Sequence, residues 1–286
     1  MTDTRATSSV SPPRRRPGLL YSLMRVFDLS LGEMLWSRRT IFMGLVVGLP
    51  VLMAAVIRLL HAFSAPAVRV NHIAVDGPAM FSLMIWLFYL RFSVPVLGVF
   101  YGTSLIADEV EDKTITYLFT RPISRGAVVL GKYVAYLVCT IFVVLPSVVV
   151  VWLAVVPIGG GLGAHFIDLL KDLALLAVGL AVYGALFAFI GAWFKRPLVA
   201  GLLFILFWEP AVLVFPGYLK NLTIAYYVQG LVPEAMPSAD IMSLIQGIVR
   251  VTPTFATSAL CLVAMEVLFL MLAARLVSRK EYVLEQ

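Results

Sequence analysis

Residues 134–156 read VAYLVCTIFVVLPSVVVVWLAVV, a run without a single charged side chain. About 20 apolar residues are enough to cross the hydrocarbon core of a bilayer as a helix. Inside hydrocarbon a lone segment must satisfy its own backbone hydrogen bonds, so helix is the form open to it. Comparable runs begin near Ile41, Met80, Tyr133, Leu173, Leu198 and Phe255. They predict six spans at about 41–60, 80–106, 133–156, 173–193, 198–215 and 255–275. Only 13% of the 286 residues are charged, against about a quarter in a soluble domain. The expected class is therefore an all-α integral membrane protein with six transmembrane helices.

Six spans put both termini on one side, and cytoplasmic loops retain Lys and Arg. Of the 22 basic residues, sixteen fall on the side of the termini. Five, Arg58, Arg69, Lys171, Lys220 and Arg250, fall opposite, and Arg91 lies within a span. Both termini are expected in the cytoplasm. The net charge of +6 then follows from topology and calls for no nucleic acid. The PRRRP stretch at 13–17 is a solvated basic tail with some attraction for anionic lipid. The first apolar run starts only at Ile41 and has no small-residue cleavage site behind it, so no removable leader is expected.

Between the spans the chain divides by composition. Residues 1–18 are rich in Ser, Thr, Pro and Arg without apolar periodicity, which predicts a disordered tail. Over 19–39, Leu20, Leu23, Met24, Phe27, Leu31, Met34 and Leu35 recur at helical spacing, which suits an amphipathic helix in the inner interface. The rest, 19–286, forms one transmembrane domain. The outer loop 216–254 carries Tyr218, Tyr226, Tyr227, Leu231 and Ile241 and is too apolar for free solution, so short interfacial or re-entrant helices are expected there. The inner segment 107–132 is the most charged: Asp108, Glu109, Glu111 and Asp112 precede KTITYLFT, and Pro122 stops the helix. Tyr117, Leu118 and Phe119 together have no core of their own, and a protein partner is the natural place to bury them.

GAVVLGKY, Gly126–Tyr133, falls one residue short of a phosphate-binding loop, with Tyr133 where a Ser or Thr must hold magnesium. It opens a membrane span, so the ordinary reading is a helix start with a lysine at the headgroups. No nucleophile–base pair, metal-protease motif or paired intramembrane aspartate is present, which argues against an enzyme. His61, His72 and His165 lack ligand spacing, so no metal is expected. Cys139 and Cys261 sit in different spans as packing residues.

The inner segment resembles that of the ABC-2 type permeases, the membrane halves of ATP-driven exporters. There, paired glutamates are followed by G-T, a leucine-rich turn, P-[IV]-S-R and a G-K at the third span. Glu109 and Glu111, Thr114, the turn Tyr117–Phe119, then Pro122, Ile123, Ser124, Arg125, Gly131 and Lys132 match in order. Lys113 stands where glycine is usual. The resemblance implies a multi-pass permease of the inner (plasma) membrane that dimerises with a second copy or a paralogue. Each copy would engage a separate ATPase subunit through a cytoplasmic coupling helix. Tyr117, Leu118 and Phe119 would plug the ATPase groove, and Glu109, Glu111, Arg121 and Arg125 would orient it from the rim. No cofactor is expected on this chain; ATP and Mg belong on the partner. A membrane scaffold or sensor anchoring a cytoplasmic protein by the same helix is the alternative.

Arg91, Glu209 and Glu266 interrupt the second, fifth and sixth spans, each eleven residues from its expected start. At ~1.5 Å per residue all three lie about 16 Å deep, near the centre of the core. A charge there has to be paired or face water. Two readings stay open: an ion pair of Arg91 with Glu209 or Glu266, or a substrate path lined by Arg91 and Glu209.

Overall fold

The structure is a computed structural model, and it describes residues 24, 27–30, 32, 38–63, 69–70, 73–74, 76–111, 125–214, 221–231 and 253–279. The expected tail, residues 112–124 of the inner segment, His72 and most of the outer loop lie outside these residues. In the expected interfacial helix, Met24, residues 27–30 and Gly32 have helical backbone.

Helices dominate. α1 is Arg38–Ala62, and a minimal antiparallel ribbon pairs β1 (Arg69–Val70) with β2 (Ile73–Ala74). The second span is composite: α2 (Gly77–Met84), a π-helical segment Ile85–Ser93, α3 (Val94–Leu97), a second π-helical segment Gly98–Gly102, and α4 (Ser104–Glu111). α5 (Arg125–Val155) and α6 (Phe166–Trp193) follow. Then come α7 (Pro197–Leu203), the π-helical segment Phe204–Trp208, α8 (Glu209–Val214), α9 (Ile224–Leu231) and α10 (Phe255–Arg279).

Among the described residues, five helices are long and apolar enough to cross a membrane: Thr40–Ala62, Gly77–Ala107, Val128–Val155, Phe166–Trp193 and Phe255–Ser278. The apolar stretch expected as a fifth span, 198–215, is a shorter helix, Pro197–Val212. Elsewhere the helices outrun the expected spans. α5 starts eight residues before Tyr133 and α6 seven before Leu173, because a helix continues through polar first turns once its apolar part is anchored. Lys171 and Asp168 pair across such a turn at 3.2 Å.

α6 is the hub, with 67% of its apolar window buried against 17% for α10. Small residues explain this, since they let neighbouring backbones approach where lipid supplies no hydrophobic drive. A Cβ on Gly184 would enter the ring of Tyr136, and one on Gly191 would strike the carbonyl of Thr103. The Tyr136 hydroxyl donates to the Leu180 carbonyl at 3.1 Å, which pins that ring in place.

Contacts along α6 fix the direction of its neighbours. Gly98 meets Tyr183 and Gly102 meets Phe187, so the second span runs parallel to α6. Trp152 packs on Phe166 at 6.4 Å while Tyr133 reaches Ala181, so α5 runs antiparallel. Phe42 packs at a tilt against Phe100 with ring centroids 4.2 Å apart, which sets α1 against the second span. Phe189 meets Phe269 at 6.0 Å, farther along both chains than the Ala181–Tyr133–Glu266 link, so α10 is parallel to α6.

Candidate functional site

Two polar clusters hang from the middle of α6. In the first, the Tyr133 hydroxyl of α5 lies 2.9 Å from the Ala181 carbonyl and 2.7 Å from Glu266 Oε1 of α10. One proton is shared between two acceptors in a three-centre arrangement. In the second, the Tyr183 hydroxyl donates a hydrogen bond to Glu209 Oε1. Ala181 and Tyr183 are two residues apart on one helix, so both carboxylates lie at nearly the same level, as the spacing from the span starts predicts.

Glu209 is the more enclosed, at 5% exposure. Besides Tyr183 it accepts the backbone N–H of Ala225, and the Arg91 guanidinium acts on it as a nearby charge. Arg91, Glu209 and Tyr183 line one small pocket of about 20 Å³, room for about one water, with Trp86, Leu90, Ala225, Val228 and Gln229. The structure thus brings Arg91 to Glu209 and leaves Glu266 to Tyr133.

Local helix geometry places both pocket charges. Arg91 belongs to the π-helical segment Ile85–Ser93, and Glu209 follows directly on Phe204–Trp208. A π-turn carries an extra residue and re-aims the side chains beyond it; such turns recur at functional sites. Phe204 packs edge-on against Phe187 of α6 at 6.2 Å, and Phe187 stacks on Tyr183 at 6.2 Å. The wall that carries Glu209 is thereby locked to the helix that hydrogen-bonds it.

Sequence reading found the three charges but missed Tyr133, Tyr183 and Gln229. The available signal was weak: a tyrosine inside an apolar span carries one polar tip that needs a partner, yet nothing in its spacing names that partner.

In the charged segment 107–132, Glu109 and Glu111 lie in the backbone of α4 and Arg125 begins α5. Thr114, Tyr117, Leu118, Phe119, Arg121, Pro122 and Ser124 lie outside the described residues. Gly126–Tyr133 forms the first turns of α5 with Lys132 buried, so its backbone is helical and does not form a phosphate cradle. Among the described residues, no group of three His, Cys, Asp or Glu is placed to hold a metal. His165 lies 3.6 Å from Asp168 beside the start of α6, and His61 is exposed at the end of α1.

Compared with known families, the chain matches a family model described as ABC-2 family transporter protein over residues 24–282. No curated protein matches it.

Proposed function

Because the chain belongs to the ABC-2 transporter family, whose members are membrane components of transporters served by an ABC ATPase subunit, we propose that it is the permease of an ATP-driven exporter. The observation that carries this reading is the reach of the family match, which takes in all five long apolar helices and the charged inner segment 107–132 together.

In this reading two copies, or one copy and a paralogue, form the path in the inner membrane with both termini in the cytoplasm. ATP binding on the partner drives transport only if the closed ATPase and the outward-facing permease favour each other through contacts. Tyr117, Leu118 and Phe119 supply the apolar contact. Glu109, Glu111, Arg121 and Arg125 set orientation from the rim, with Thr114, Pro122 and Ser124 shaping the turn. α4 and α5 flank this segment and both pack on α6, so a push on it reaches the helix that carries both carboxylate clusters. Arg91 and Glu209 line the substrate path, and Glu266 ties α10 to α5.

The test is purification of the complex from its native membrane in mild detergent, with and without Leu118→Ala plus Phe119→Ala. An equimolar ATPase that is lost in the double variant is the expected result. No ATPase in either preparation, where a control complex survives, would favour a scaffold that moves nothing.

A further inference from the structure

The end of α6 gathers aromatic rings and positive charge at one depth. α6 stops at Trp193, Phe194 is extended, and Lys195 and Arg196 form the turn into Pro197 of α7. Phe189 packs edge-on against Trp193 at 5.3 Å and lies 6.0 Å from Phe269 of α10, so α6 and α10 stay side by side here. Lys195 and Arg275 each come six residues after that Phe189–Phe269 contact and lie at about one level. Trp193 and Phe194 stack at 6.4 Å yet remain 56% and 50% exposed. Lys195, Arg196 and Arg275 are exposed as well. Depth follows from the two carboxylate clusters. Trp193 is twelve residues past Ala181, about 18 Å at ~1.5 Å per residue, and Arg275 is nine past Glu266, about 14 Å. A hydrocarbon core about 30 Å thick ends about 15 Å from its centre. The rings therefore lie where acyl chains meet headgroups, and the three cations lie at the level of the phosphates.

We propose that this patch binds an anionic phospholipid, with the phosphate against Lys195, Arg196 and Arg275 and the upper acyl chains on Trp193 and Phe194. Charge decides the class. At the opposite end of α6, Lys171 is answered by Asp168 at 3.2 Å. Among the described residues, none of the three cations at this end is within ion-pair distance of a carboxylate. An anionic headgroup neutralises them, while a zwitterionic one brings an ammonium of its own into the same cluster. Two of the three are arginines, whose planar forks match phosphate oxygens. Topology asks only for positive charge somewhere in an inner loop. It does not ask for exposed rings directly beneath, and that combination suits a molecule that is apolar below and negatively charged above. A free phosphate would leave the rings uncovered, so the occupant is a lipid. Bound there, it holds the ends of α6, α7 and α10 together, whatever the transported substrate is.

The experiment is tryptophan quenching in the full chain, reconstituted in phosphatidylcholine vesicles that contain either brominated phosphatidylglycerol or brominated phosphatidylcholine at matched mole fractions. Trp193→Phe keeps a ring on Phe189 and supplies the background from the other tryptophans. The Trp193 signal should be quenched by brominated phosphatidylglycerol at a mole fraction about ten- to a hundredfold lower than by the phosphatidylcholine. Lys195→Gln, Arg196→Gln and Arg275→Gln should each lower that preference about two- to fivefold, and the triple variant should abolish it. Equal quenching of the wild-type chain by the two lipids overturns the proposal, and so does a preference that survives in the triple variant. The wild-type comparison carries the test if the triple variant does not insert. A preference relieved by millimolar inorganic phosphate at constant ionic strength would assign the patch to a soluble anion and overturn the lipid. Co-purification of an ATPase is read separately, so this site and the transport reading can fail independently.

Discussion

Glu209 concentrates the residue-scale physics, because a carboxylate at 5% exposure holds its place through the Tyr183 hydroxyl, the Ala225 N–H and the field of Arg91. Tyr183→Phe removes one of these while keeping the ring that stacks on Phe187. It should destabilise the folded chain by about 1–3 kcal/mol, the usual cost of leaving a buried acceptor short of a donor. Thermal unfolding in detergent checks this, and wild-type stability in the Tyr183→Phe variant would mean that the bond contributes nothing. The charges themselves separate structure from transport. Arg91→Glu combined with Glu209→Arg should restore the folded yield lost in either single variant, yet leave export reduced or altered, because a ligand meets the charges in reversed order. Restored folding with normal export would make the pair purely structural. Arg91, Glu209 and Glu266 were legible in the sequence because a charge inside an apolar run is conspicuous. Which carboxylate each tyrosine serves was not legible, since that depends on how α5, α8 and α10 are rotated against α6.

At the scale of elements, the long helices follow from apolar runs that have no other way to satisfy their backbone in a bilayer. Their π-helical interruptions follow from nothing comparable in the sequence. FILFW at 204–208 has the composition of any lipid-facing turn, and only its packing against Phe187 shows where the extra residue is absorbed. Deleting Leu206 removes the extra residue, so this segment should return to regular α-helix with Glu209 still in register toward Tyr183. The helix should survive, as read by circular dichroism, and the effects of Arg91 and Glu209 on transport should stay coupled; loss of that coupling would show that the π-turn itself aims Glu209. Gly184 argues the same point from packing. Its missing Cβ is where the Tyr136 ring lies, and that ring is fully buried and held through its hydroxyl. Gly184→Ala should therefore cost about 1–3 kcal/mol as overpacking, visible as a lowered unfolding temperature. The same change at Gly126, which has open space around it, should be close to neutral.

The whole molecule raises a question of sidedness that α6 and α10 answer together. Because both run in the same direction, the chain must change sides between Trp193 and Phe255. The short apolar helix Pro197–Val212 is the segment available to carry it. Its own contacts agree, since Gly201 and Phe204 meet Phe187 while Glu209 meets Tyr183, so it climbs α6 in reverse. The basic residues give a sign to this geometry: Lys195, Arg196, Arg275 and Arg279 should share the cytoplasmic side with the inner segment 107–132. Single cysteines at Gly163, Lys195 and Ser278, placed in a chain with Cys139 and Cys261 changed to Ala, test this with a membrane-impermeant thiol reagent on intact cells. Gly163→Cys should be labelled from outside, while Lys195→Cys and Ser278→Cys should react only after permeabilisation. If Ser278→Cys were labelled from outside with Lys195→Cys protected, Pro197–Val212 would turn back without crossing and the six-span reading would fall. If all three were reversed, the segment holding Leu118 and Phe119 would face away from any cytoplasmic ATPase, and the coupling mechanism would fall with it.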